Sequence, residues 1–150
     1  MWFNRIKSDL SSLPDMLDYF GSELDKAMEE TKISGSLEKM SQDLPGITSH
    51  RFSQLQEIEA VLKYLEVQYN KTRSDHYRRY LERYNRELSD RSIEKYLDGE
   101  QDIVDMNVLM NEVALTRNKY IAIIKGLEVK GYQLNNITKL RSVGLNDALL

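Results

Sequence analysis

Cysteine is absent from this 150-residue chain, which excludes disulfides, thiolate metal sites and thiol catalysis. Proline occurs only twice and glycine seven times. That is too little punctuation for a many-stranded sandwich or barrel, and it suits a few long helices. No apolar run approaches the ~18 residues of a membrane span. The start, Met1-Trp2-Phe3-Asn4-Arg5, continues into polar amphipathic sequence and not into a signal-peptide core. The expectation is a soluble intracellular protein with no membrane partner.

Catalytic patterns are missing as well. There is no G-x-x-x-x-G-K-[ST], no G-x-G-x-x-G and no G-x-S-x-G. His50 and His76 lie far apart with no companion at ligand spacing, so no metal, no cofactor and no catalytic residue are expected. Asp98, Glu100, Asp102 and Asp105 do not match a calcium loop. They read as carboxylates at a helix N-terminus, where the macrodipole favours them.

What the chain does have is charge, 30% of its residues, and that charge is segregated. Residues 1–62 carry six Lys/Arg against eleven Asp/Glu, and residues 63–91 carry eight against five. Residues 92–116 carry one against six, and residues 117–141 carry six against one. Acidic and basic blocks alternate, a pattern that suits contacts between subunits or with a polyanion and equally suits ordinary solvated helix faces.

It also has heptads. Phe3, Ile6, Leu10, Leu13, Leu17, Phe20, Leu24 and Ala27 are spaced alternately three and four apart, which puts them on one coiled-coil seam. Pro14 allows either a helix starting near Leu13 or a kinked continuous one. Ser34-Gly35-Ser36 ends this segment, and Leu44-Pro45-Gly46 marks the clearest break. The spacing predicts a long helix from about Ser49 to Ser89, with Phe52, Leu55, Ile58, Leu62, Leu65 and Tyr69 on its stripe. The stripe then shifts to Tyr77, Leu81, Tyr84 and Leu88. Such a helix spans about 60 Å. A short helix near Ser92–Leu97 precedes another long one, about Gln101 to Val129. Its seam carries Ile103, Met106, Met110, Val113, Tyr120, Ile124 and Leu127, with Arg117 at the polar position that can set register. Gly131 is expected to stop it, and Leu134, Ile137 and Leu140 to outline a last short helix before Gly144. The fold class expected is therefore all-α, with coiled-coil-like long helices assembled into a homo-oligomer. Residues 1–44 form an oligomerisation or partner arm and residues 45–150 a helical binding and assembly domain. Both seams are the oligomerisation candidates.

The candidate binding face lies within the central helix. Lys71, Arg73, Arg78, Arg79, Arg83 and Arg86 interleave with Tyr69, Tyr77, Tyr80 and Tyr84. Arginine pairs bidentately with phosphate, and tyrosine stacks on unpaired bases. Tyr77 and Tyr84 share the apolar stripe and read as core, which leaves Tyr80 as the exposed ring. Lys139 and Arg141 are secondary candidates.

This stretch resembles the UvsY-type recombination mediators of tailed bacteriophages. Lys71-Thr72-Arg73-Ser74-Asp75-His76-Tyr77 looks like that family's Lys-x-Arg-x-Asp-x-Tyr segment, and Asp90 through Ile103 is similar to its lysine-tyrosine segment leading into acidic residues. Lys130-Gly131-Tyr132-Gln133-Leu134-Asn135-Asn136-Ile137 is similar to its C-terminal aromatic stretch. The likeness spans about residues 50–145. It implies a ring-shaped homo-oligomer that binds single-stranded DNA and helps a recombinase replace a single-strand-binding protein there. It further implies no catalysis by the mediator and a place in the cytoplasm of the infected bacterial host. The fifty residues that precede the match, and the acidic overall charge, depart from the family's pattern. Two other classes fit the helical pattern: a phage packaging or structural protein, such as a small-terminase-like ring or scaffold, and a coiled-coil adaptor that binds no nucleic acid.

Overall fold

A computed structural model describes residues 1–83 and 87–145. Among the described residues all regular structure is helical. Helix α1 (Trp2–Ser8) is followed by a 3₁₀ turn (Leu10–Ser12), then α2 (Leu13–Thr31), α3 (Leu37–Arg83), α4 (Asp90–Asp98) and α5 (Gln101–Ser142). No helix among the described residues is long and apolar enough to cross a membrane. Two compact units emerge, one formed by residues 1–12 and 57–115, the other by residues 13–56 and 116–150. Helices α3 and α5 supply residues to both.

In the first unit, α1 ends at Asp9, whose extended backbone (φ −148°, ψ 104°) breaks the chain five residues before Pro14. The Asp9 carboxylate then accepts from the Ser11 amide at 3.0 Å and its hydroxyl at 2.8 Å, so a side chain replaces the missing helical bonds. Pro14 falls in the first turn of α2, where its lost N–H costs nothing. Ile6 is fully buried, and Phe3 meets Tyr64 edge-on at 6.4 Å. The buried stripe of this part of α3 is Ile58, Val61, Leu62 and Leu65, and Ile93, Leu97, Ile103 and Val113 are buried in the same unit.

In the second unit, Phe20 and Tyr120 pack edge-to-face at 5.8 Å, and the Tyr120 hydroxyl donates to the Phe20 carbonyl at 3.3 Å. Burial pushes the Tyr120 phenol well above its usual range. Met16, Leu24, Ala27, Leu55, Ile123, Leu127 and Leu134 complete this core. One charged cluster is buried with it. Arg51, its side chain 3% exposed, grips both oxygens of Glu30 at 2.7 Å and also donates to Glu23 and Gln54 at 2.8 Å.

Several expectations need correction. The break at Leu44-Pro45-Gly46 does not exist, because α3 runs through it. The boundary between residues 44 and 45 therefore falls inside a helix. Interior proline forfeits one hydrogen bond, at a cost of about 3 kcal/mol, and packing offsets it. Leu44 seats on Gly131, where a Cβ would stand 3.3 Å from Leu44 Cδ2. That same approach explains why Gly131 does not stop α5: glycine is there for closeness, not for a turn. The helix ends instead at Gly144 (φ +77°), where the Leu145 amide reaches the Leu140 carbonyl and the Gly144 amide reaches that of Arg141. Phe52 and Leu81, which the spacing puts on the apolar stripe, are 51% and 57% exposed.

The two seams are largely consumed within the chain. Ile6, Leu13, Phe20, Leu24, Ile103, Val113, Tyr120 and Leu127 are all under 9% exposed, so they offer no surface to another copy. Phe3, Leu17, Met106, Met110, Ile124 and Arg117 are half-buried, and Arg117 hydrogen-bonds its neighbour Asn118 at 3.0 Å. Of these seam positions, Leu10 is the exposed one, at 38%.

Candidate nucleic-acid interface

The basic stretch occupies the last four turns of α3, in the first unit. At 100° per residue, Lys71, Arg78, Arg79 and Arg83 fall on one side of the helix. All four are exposed, and none has an acidic partner among the described residues. Asp75 and Glu82 share their arc, so the exposed face carries a net charge of only +2 per chain. Arg86 and Tyr84 lie outside the described residues. Lys139 and Arg141 are exposed at the end of α5, in the second unit.

The neighbouring side of α3 carries Arg73, His76, Tyr77 and Tyr80, and it is occupied. Ser89 starts α4 by accepting from the Ser92 amide at 3.3 Å, and Ile93 and Leu97 bury the helix's apolar side. This pins α4 and the first turn of α5 against α3. Asp90 accepts from the Tyr77 hydroxyl at 2.8 Å, and this bond raises the Tyr77 pKa. Asp98 pairs with Arg73 at 2.9 Å, and the hydrogen bond raises the guanidinium's pKa. Glu100 accepts from the Tyr80 hydroxyl at 2.5 Å. Asp102 meets His76 Nε2 at 2.7 Å, which lowers the carboxyl's pKa. Three carboxylates at every second residue thus meet three α3 side chains spaced three and four apart.

Two sequence expectations change here. Arg73 is not a free cation, because Asp98 already holds it. Tyr80 is not the exposed ring: it is half-buried, bonded through its hydroxyl and stacked on Tyr96 at 5.7 Å with the planes 19° apart. The outward ring is Tyr96, 53% exposed. The sequence does not mark it, because Tyr96 stands three residues after Ile93, a spacing that by itself reads as the buried side of the helix. No family model matches this chain, and no curated protein or solved structure matches it. Its chemistry therefore rests on these residues alone.

One grouping was hidden by sequence separation. His76, Glu100 and Asp102 bring one donor atom each within 4.8 Å of one another, beside a cleft of about 270 Å³ that Arg79 and Arg83 also line. The arrangement is that of a hydrogen-bonded latch more than a cation site. The 2.7 Å separation of His76 and Asp102 is shorter than the roughly 3 Å between two ligands sharing an ion at ~2.1 Å. Two guanidinium groups on the same cleft add repulsion for any cation. The same cleft sets Arg79 and Arg83, which have no acidic partner among the described residues, beside the Glu100 carboxylate and the Tyr80–Tyr96 pair.

Proposed function

We propose that this chain binds single-stranded DNA along the outer side of α3 and acts as a recombination mediator without catalysing a reaction itself. The observation that carries the reading is the row of Lys71, Arg78, Arg79 and Arg83, exposed and unpaired among the described residues, beside the Tyr80–Tyr96 stack. Cations contact phosphates and fix the strand, while the outer face of Tyr96 offers a sequence-tolerant platform for a base. Four phosphate contacts give a salt slope of about −0.7 each on a single strand, or roughly −3 in total. The adjacent carboxylates reduce this, so one copy binds weakly and several copies on one strand bind firmly.

The resemblance over residues 50–145 supports the finer part of the reading. A strand held mainly by its phosphates, with a single base stacked on Tyr96, keeps its other bases available to a recombinase that displaces a single-strand-binding protein. The setting would be the cytoplasm of a phage-infected bacterium.

The test is fluorescence anisotropy with labelled oligo(dT) at 50 and 200 mM salt, comparing the parent chain with Lys71→Ala/Arg78→Ala/Arg79→Ala. The triple variant is expected to bind at least tenfold more weakly, with a shallower salt slope and unchanged helicity. Parent-like affinity in the variant refutes the site. A preference for duplex DNA in the same titration moves the function to the packaging-ring class.

A further inference from the structure

The acidic corner formed by α4 and the first turn of α5 carries more charge than its packing requires. Residues 90–102 hold five acidic residues against Arg91 and Lys95. Ile93 and Leu97, both fully buried, already anchor α4. The contacts from the corner to α3 lie within the first unit and near its surface, with the Asp98 and Asp102 side chains 68% and 54% exposed. Ion pairs at such positions contribute little stability. Asp98 is the telling residue. It is the last residue of α4, where the negative end of the helix dipole disfavours a carboxylate. The position instead serves Arg73, which Asp98 holds at 2.9 Å. The four contacts that join the corner to α3 each set a polar group of α3 against a carboxylate oxygen. Those groups are two phenols, a guanidinium and an imidazole, all of which can bind phosphate oxygens.

We propose that this corner is a built-in competitor for the strand: its carboxylates occupy one side of α3 until phosphates displace them. The proposal rests on the single-strand reading above and adds the regulation of that site. Displacement replaces one oxyanion by another on the same donor, so the exchange is close to balanced. Its direction then depends on how concentrated the phosphates are. A strand held by Lys71, Arg78, Arg79 and Arg83 delivers its next phosphates to the neighbouring side of α3 at high effective concentration. A small anion without that tether leaves the corner closed. Helix α4 stays docked through Ile93 and Leu97, and only the carboxylate side chains let go.

Two substitutions that each remove one negative charge separate competition from general repulsion. Asp98→Asn releases Arg73, whereas Asp105→Asn neutralises a nearby acid that accepts from Gln101 at 2.7 Å. Both are titrated as full chains with labelled oligo(dT) at 50 mM salt, after circular dichroism has shown parent-like helicity. Asp98→Asn is expected to bind roughly three- to fivefold more tightly than the parent, and Asp105→Asn less than about twofold. The salt slope of Asp98→Asn is expected to steepen by about 0.7, the increment of one further phosphate contact. Arg73→Ala completes a double-mutant cycle. In the parent, Arg73 must give up Asp98 before it meets a phosphate, so its loss is expected to cost less than about twofold. In Asp98→Asn nothing offsets the contact, and the same loss is expected to cost roughly fivefold or more. Equal losses in the two backgrounds overturn the competitor, as does an Asp105→Asn chain that gains as much as Asp98→Asn. Failure of the single-strand reading looks different: Asp98→Asn then binds no oligo(dT), whatever residue stands at position 73.

Discussion

Replacing Arg51 by methionine isolates the buried charged cluster described in the second unit. The guanidinium makes four hydrogen bonds to Glu23, Glu30 and Gln54, and its side chain is 3% exposed. Methionine keeps the volume but leaves two carboxylates facing each other with the cation gone. Breaking a buried pair from one side costs about 3–5 kcal/mol. The lower end applies, because Glu30 is 28% exposed and Lys26 still holds Glu23 at 2.7 Å. For a chain of this length, about 3 kcal/mol lowers Tm by roughly 6–12 °C. The effect has a pH signature. Hydrogen bonds from Lys26, Arg51 and Gln54 hold the Glu23 carboxyl down at about 2, against an ordinary 4.5. A depressed carboxylate contributes stability that is fully present above pH 4.5 and is lost as pH falls through 2. By linkage that contribution is at most about 3 kcal/mol. Calorimetric scans of the parent and Arg51→Met at pH 7 and pH 2.5 are therefore expected to show a gap that narrows in acid. Arg51→Lys, which keeps the charge but loses the two-pronged grip on Glu30, is expected to fall between them. A Tm within 2 °C of the parent at pH 7, or a gap equally wide at both pH values, refutes the reasoning.

The carboxylates that pair with α3 side chains give a second expectation. Asp98→Asn with Glu100→Gln removes two negative charges beside Arg73 and Tyr80, and single-strand affinity should rise roughly threefold to tenfold at low salt in the anisotropy assay. No change would show that the strand does not approach this side of α3. A third expectation separates the glycines by role. Gly21 and Gly46 have open space where a Cβ would go. Alanine at each should therefore raise stability by about 0.5–1 kcal/mol in urea titrations. Gly131→Val should instead lower it by 1–3 kcal/mol, since the added branches drive into Leu44.

Legibility in the sequence followed the range of the interaction. Periodicity alone located the buried faces of α2, α3 and α5, because Phe20, Leu24, Leu55, Ile58, Ile103, Tyr120 and Leu127 repeat at helical spacing. It could not tell whether a neighbouring helix belongs to the same chain or to another, so an internal core read as an assembly seam. Pro45 and Gly131 read as breaks because local propensity is all that a sequence window contains. The contact of Leu44 with Gly131 that overrides both spans eighty-seven positions of the chain. At the candidate interface, the cations and rings can be picked out by composition. Their partners were not: Arg73 with Asp98 and His76 with Asp102 are joined by the path of α4, which no motif announces.

Helix α5 also imposes an order on folding. The bonds from Tyr120 to Phe20 and from Lys130 to Glu30 each close a loop of 100 residues. At 5–20 residues per second on the ribosome, α2 waits roughly 5–20 s for the side chains that cover it. Residues 101–115 complete one unit and residues 116–142 the other, so neither core closes until the last third of the chain has emerged. A nascent chain stalled near residue 100 would carry Phe20, Ile58 and Leu65 uncovered, and would be a substrate for chaperones and proteases that the finished protein escapes.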